Sequence, residues 1–205
     1  MHDKQHWEKV YETRATDTVS WFQEHAEQSL ALIHATGAGK QAAIIDVGGG
    51  ASTLVDDLLA EGYSDLTVLD LSGAALAAAR HRLGKVGKVI WLEADVTCTR
   101  LPHHHYDIWH DRAVFHFLTD AKDREAYVQQ VSHAVKPGGH VIVATFAEDG
   151  PEQCSGLPVV RYSADALHDQ FGPSFRLERH MKEAHHTPAG KVQQFVYCYC
   201  RLSGS

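Results

Sequence analysis

One stretch limits the possible fold more than any other: the apolar run Ala42-Ala43-Ile44-Ile45-Asp46-Val47, which passes directly into Gly48-Gly49-Gly50. A short apolar segment without polar alternation predicts a strand buried on both faces, as in a parallel sheet. The glycines allow positive φ and let a ligand approach bare backbone. Residues 52–61 then read as a helix with Leu54, Val55, Leu58 and Leu59 inward. A strand, a glycine turn and a helix in that order form a ligand-holding unit at the carboxyl end of a sheet.

The rest of the chain repeats the alternation. Strands are expected at Leu66–Asp70, Lys88–Glu93, Tyr106–His110 and His140–Phe146. Ser72 can cap an Ala-rich helix stopping near Gly84, Asp120 a helix over 121–135 closed by Lys136-Pro137-Gly138-Gly139, and Ser163 a short helix ending before Gly172-Pro173. Two strands in succession, near 174–182 and 192–201, imply an antiparallel hairpin at one edge. Ahead of the first strand, 3–14 reads as a helix with Trp7, Val10, Tyr11 and Arg14 on one face. Residues 20–35 read as a second, with a Ser20/Gln23 capping box and an apolar stripe of Phe22, Ala26, Leu30 and Ile33. The expected architecture is one α/β domain over 1–205: a helical lid over 1–36 and a doubly wound Rossmann-like core over 37–205.

The length of 205 residues suits one such domain. A formal net charge of −7 and the lack of a basic, aromatic-interleaved patch argue against nucleic acid. No apolar run approaches the ~20 residues of a membrane span. The polar N-terminus carries no secretory pattern, and four scattered cysteines suit a reducing compartment, so a cytoplasmic protein is expected. Sixteen histidines show no zinc-type spacing, and adjacent His103-His104-His105 do not converge easily on one ion, so no metal is expected.

Asp70 ends the second strand, 22 residues after Gly48, where a carboxylate can accept both hydroxyl hydrogens of a ribose. A dinucleotide fingerprint requires a third glycine where Thr53 stands. Asp46, just before the turn, suits a cofactor bearing a sulfonium and an α-ammonium better than a pyrophosphate.

This arrangement resembles the class I S-adenosylmethionine-dependent methyltransferases over nearly the whole chain. Asp46-Val47-Gly48-Gly49-Gly50 is similar to the family's first motif, with Ser52 in place of its common third glycine. The resemblance implies that Asp70 holds the ribose, with Leu71 and Ser72 beside the adenine. It implies that Ala94, Asp95 and Val96 also border the adenine, Asp95 toward its amine. The segment Tyr106–Arg112 is similar to the fourth-strand motif, which puts the backbone near His110 and Asp111 by the methionine part. The implied cofactor is S-adenosylmethionine, the product S-adenosylhomocysteine, and the implied sheet order 3-2-1-4-5-7-6. Trp7, Tyr11 and Trp21 resemble a leading aromatic segment of small-thiol and some protein-lysine methyltransferases, in which it folds over the cofactor. Arg14 is a candidate for the cofactor carboxylate.

Methyl transfer needs positioning and desolvation, and for some acceptors a base. His116 is the first candidate base and His110 the second. Arg112, Phe115, Phe146, Cys154 and Leu157 are candidates for the acceptor side, Arg112 holding an anion or pairing with Asp111. The reading these residues support is methyl transfer to a small-molecule acceptor. Two others stand beside it: a protein-lysine methyltransferase, and a non-catalytic S-adenosylmethionine-binding module.

Overall fold

A computed structural model describes residues 4–204. Two helices lead, α1 (Lys4–Thr13) and α2 (Glu27–Ala35). The alternating core follows: β1 (Ala43–Val47), α3 (Leu54–Ala60), β2 (Asp65–Asp70), α4 (Gly73–Leu83), β3 (Val89–Glu93), β4 (Tyr106–Arg112), α5 (Ala121–Ala134) and β5 (Val135–Phe146). The remainder is a two-strand hairpin, β6 (Gln153–Cys154) and β7 (Leu157–Pro158), then α6 (Ala164–Asp169), β8 (Phe175–His186) and β9 (Val192–Leu202). Among the described residues no helix is long and apolar enough to cross a membrane.

The main sheet runs β3-β2-β1-β4-β5-β9-β8, the expected order once the small hairpin is set aside. β1 to β5 are parallel, and β9 lies antiparallel between β5 and β8. Successive side chains point to opposite faces, so the central strands feed two cores. Ile44, Ile108 and Ile142 enter one, with Leu54, Leu58 and Phe195. Ile45, Trp109 and Val143 enter the other, with Phe115, Tyr127 and Val131. This two-sided burial explains why β1 reads as an uninterrupted apolar run. Ser72, Asp120 and Ser163 cap α4, α5 and α6 by accepting from the amides of Ala75, Lys122 and Ala166. Gly84 ends α4 at φ +61°, a conformation that L side chains resist.

Four expectations are corrected. α2 starts at Glu27, not at 20, and its N-cap, Ala26, makes no side-chain hydrogen bond. Residues 20–26 form the loop that roofs the sheet, so Ser20 and Gln23 do not box a helix. β4 continues to Arg112 because Asp111 and Arg112 pair with Val143 and Ala144. Lys136-Pro137-Gly138-Gly139 is absorbed into β5, with a register shift between Tyr106 and Ile108 on β4. β8 runs to His186, beyond the expected end near 182, so His185 is buried and bonds the Ser20 carbonyl at 2.8 Å.

Candidate active site

At the carboxyl ends of β1, β2 and β4 the backbone turns away and leaves a cleft of about 760 Å³, measured out to its open mouth. A smaller cavity of about 560 Å³ adjoins it, and Tyr11, Trp21, Gly48 and Arg112 border both. The floor depends on the glycine turn. Gly48 has φ +70°, and a Cβ there would come 1.9 Å from Val114. A Cβ on Gly49 would come 2.3 Å from Asp46 Oδ2, and one on Gly50 2.5 Å from Asp70 Oδ2. The bare backbone thus makes room for two carboxylates above it.

Asp70 borders the larger cleft. One of its oxygens accepts the Ser72 amide at 2.8 Å. Burial, then the nearby charges of Asp46 and Glu8, push its carboxyl up to about 7 against the amide bonds that favour ionisation. Asp46 borders the smaller cavity. Its Oδ1 is 2.7 Å from His110 Nδ1, and His110 Nε2 is 2.8 Å from Ser29 Oγ. Its Oδ2 is buried and unpartnered. A buried lone oxygen beside a glycine cradle is a receptor for a donor such as an ammonium. Together with Asp70 it fits a nucleoside that carries an amino-acid tail.

Leu71, Ala94, Asp95 and Val96 border the larger cleft, and Gly49, Ser52 and His110 the smaller. Asp95 is steadied by Thr97, which donates to it from both amide and hydroxyl, at 2.9 and 2.6 Å. Gly50 and Ser72 line neither cavity. Gly50 makes space for Asp70, and Ser72 caps α4.

Other assignments are corrected by burial. The Asp111 side chain points to the opposite face, where it accepts from the amides of Val114 and Phe115 and from the Tyr127 hydroxyl, which leaves only its backbone for the cofactor side. Phe115 packs there against Tyr127 and Phe171. Phe146 packs between His116 and Phe195 in the core, and Leu157 on β7 borders neither cavity. His116 is fully buried and borders neither cavity. Its Nδ1 accepts the Phe146 amide at 3.2 Å, which leaves Nε2 carrying the hydrogen without a partner. Burial, with Arg112 adding to it, pushes its pKa down to about 3. It stays neutral and has no lone pair turned to the cleft, so it does not serve as a base. Arg14 is exposed.

Arg112 does border the cleft, but its partner is Glu183 of β8 rather than Asp111. Its Nε donates to the Tyr197 hydroxyl at 3.0 Å, and Tyr197 donates to Glu183 at 2.9 Å. Gln23 donates to the other Glu183 oxygen at 2.7 Å, tying the roof loop to β8. Cys154 also borders the cleft, and burial pushes its thiol up to about 12.

The roof is α1. Trp7 and Tyr11, one turn apart, face down onto the cleft beside Trp21. A residue the sequence pattern does not single out holds α1 in place. Glu8 accepts from the amides of Gly73 and Ala74 at 2.8 and 3.0 Å and from Ser72 Oγ at 3.2 Å. Burial alone would raise its carboxyl, but these donors outweigh burial and hold it below its ordinary value. Lys4 pairs with Glu93, and His6 bonds Ser155 of the β6–β7 hairpin.

A family model described as a methyltransferase domain matches residues 45–141. The ubiquinone/menaquinone biosynthesis C-methyltransferase UbiE of Shewanella woodyi is 25% identical over 121 residues, 57% of this chain and 47% of that relative. The match thus spans about half the length of the curated relative. Among solved structures, one concerned with converting a disulfide bond into a thioacetal group during echinomycin biosynthesis superposes with a TM-score of 0.78 at 18% identity, over 98% of this chain and 92% of the other. The 1,6-didemethyltoxoflavin-N1-methyltransferase of Burkholderia thailandensis, bound to S-adenosylhomocysteine, gives 0.72 at 16% identity over 98% and 87%. At such identities the superpositions speak for the fold, and the glycine–aspartate cradle lies inside the stretch that matches the methyltransferase-domain model.

Proposed function

We propose that this chain transfers a methyl group from S-adenosylmethionine to a small-molecule acceptor. The observation that carries the reading is the strapped roof. α1 is pinned to α4 by Glu8, to the end of β3 by Lys4 and to the β6–β7 hairpin by His6, so the cleft is roofed on one side and entered through its mouth. A cleft of this kind admits a compact acceptor more readily than a side chain on a folded protein. Among the relatives, the toxoflavin-precursor enzyme is named for a small-molecule substrate, and UbiE for steps of quinone biosynthesis.

When bound, S-adenosylmethionine supplies an electrophilic methyl on a sulfonium. In this reading Asp70 holds the ribose hydroxyls, with Leu71, Ala94, Asp95 and Val96 around the adenine. Asp46 Oδ2, steadied through Oδ1 by His110 and Ser29, receives the α-ammonium over Gly48 and Gly49. Trp7, Tyr11 and Trp21 exclude water, which sharpens the field at the reacting centre. The four free cysteines suit a reducing, cytoplasmic setting.

Calorimetric titration with S-adenosylmethionine, S-adenosylhomocysteine and NAD tests the cofactor, and tighter NAD binding would overturn the reading. Labelled methyl transfer into a fractionated cell extract tests the acceptor. Label in the low-mass fraction is expected. Label confined to macromolecules would point to a protein substrate, and binding without any transfer to a non-catalytic module.

A further inference from the structure

The roofed end of the cleft carries a second message, which rests on the methyl-transfer reading and concerns the acceptor's chemistry. Four rings wall it: Trp7, Tyr11, Trp21 and Phe117. Trp7 meets Trp21 at 5.7 Å and 80°, and Phe117 at 5.1 Å and 77°; Tyr11 meets Trp21 at 6.3 Å and 74°. These edge-to-face contacts lock the rings into one aromatic wall, and a cation lodged against such a wall is attracted by it.

The formal charges along this cleft are those of Asp70, Asp95 and Arg112. Arg112 directs its three nitrogens at Tyr197, the Trp21 carbonyl and Glu183, at 3.0, 3.4 and 3.4 Å, and stacks over Phe195 at 4.1 Å. Its charge already faces Glu183, so a carboxylate or phosphate acceptor would meet acids and ring faces and would have to compete with Glu183 for the guanidinium. Asp70 and Asp95 belong to the nucleoside end in the reading above, and the other protonatable groups are committed. Burial drives the Tyr11 hydroxyl well above its ordinary range and lifts the Cys154 thiol to about 12, so both keep their protons. His116 is sealed in the core, and His110 opens on the smaller cavity between Asp46 and Ser29. Among the described residues, none at the aromatic end is free to take a proton from an acceptor.

We propose that the acceptor is a neutral thioether, whose sulfur keeps a free lone pair at every working pH, and that it leaves as a sulfonium, a permanent cation. The acceptor's lone pair forms the new bond to the methyl carbon. The donor's carbon–sulfur bond breaks, and its electron pair stays on the sulfur of S-adenosylhomocysteine. Positive charge passes from donor to acceptor and no proton moves. The rings then face a cation before and after transfer, so their attraction is retained through the reaction instead of being lost, as it would be with an anionic acceptor.

The test uses the full chain with labelled S-adenosylmethionine and a fractionated cell extract. The low-mass labelled product is expected to stay on a cation exchanger at pH 12, where ordinary amines are neutral. Treatment with excess thiolate identifies it: a sulfonium surrenders a methyl group, and a product that resists, as a quaternary ammonium would, overturns the proposal. With the isolated thioether acceptor, kcat/KM is expected to be level from pH 6.5 to 9, and Phe117→Leu to lower it roughly ten-fold with S-adenosylhomocysteine affinity unchanged. A labelled product that is neutral or anionic at pH 12, or a rate that climbs with pH as an acid ionises, overturns the proposal while leaving methyl transfer standing. Absence of both binding and transfer overturns the methyl-transfer reading itself.

Discussion

Asp70 shows how one carboxylate can be tuned by its surroundings. Burial lifts it from an ordinary 3.8 to about 7, so in the ligand-free protein it is half protonated near neutrality. A ribose offers hydroxyl donors, and only the ionised carboxylate accepts from both. S-adenosylhomocysteine affinity should therefore strengthen from pH 6 to pH 8, and Asp70→Asn should flatten that slope in calorimetric titrations. Asp70→Ala should cost about 1–3 kcal/mol of binding through lost charge-assisted bonds. Stability runs the opposite way. An acid whose folded pKa is raised contributes most below its unfolded value, and that contribution is lost as pH rises through the folded value. Without ligand, Asp70→Asn should therefore raise the melting temperature more at pH 8 than at pH 5; an equal rise at both would remove Asp70 from this account. Its candidacy was legible because it closes a strand one unit after the glycine turn. Glu183 was not, since nothing local marks an acid 71 residues beyond Arg112 as its partner. His116 misled for the converse reason: composition shows a titratable ring, and only packing shows that the ring is sealed.

At the scale of elements, α1 behaves as a strap. Its Trp7 and Tyr11 were readable from their spacing of four, which sets them on one helical face. Glu8 was not, because its partners lie 64 to 66 residues away on the first turn of α4. A carboxylate at a helix N-terminus satisfies amides that would otherwise lack partners and meets the positive end of the helix dipole. Removing it as Glu8→Ala should cost roughly 1 kcal/mol of closure. The expected readouts are faster S-adenosylhomocysteine dissociation in stopped flow and earlier proteolytic cutting near Lys9 and Arg14. Unchanged rates of both would mean that the aromatic contacts alone hold the roof.

At the scale of the molecule, the two cores on either face of the sheet bury most of what is reactive or large. Cys98 is exposed, whereas Cys154, Cys198 and Cys200 are buried. A thiol reagent should modify Cys98 quickly in the native protein and reach the other three only on unfolding; rapid native modification of Cys154 would show that the roof opens freely. Trp109 is fully buried, and its Nε1 donates to the Tyr127 hydroxyl at 2.9 Å. Trp109→Ala should cost about 3–5 kcal/mol in denaturant unfolding, through the cavity and the orphaned hydroxyl.

Local chemistry in the chain was enough to determine the alternation of strands and helices, the caps of α4, α5 and α6, the glycine turn and the acid that follows it. Each depends on periodicity, side-chain branching or a hydrogen bond within a few residues. The partner of Arg112, the burial of His116, the turning of Asp111 to the far face and the fastening of α1 by Glu8 were decided by the tertiary structure. Those outcomes depend on which distant segments the twisted sheet brings within about 3 Å of one another, and such pairings leave no local pattern in the chain.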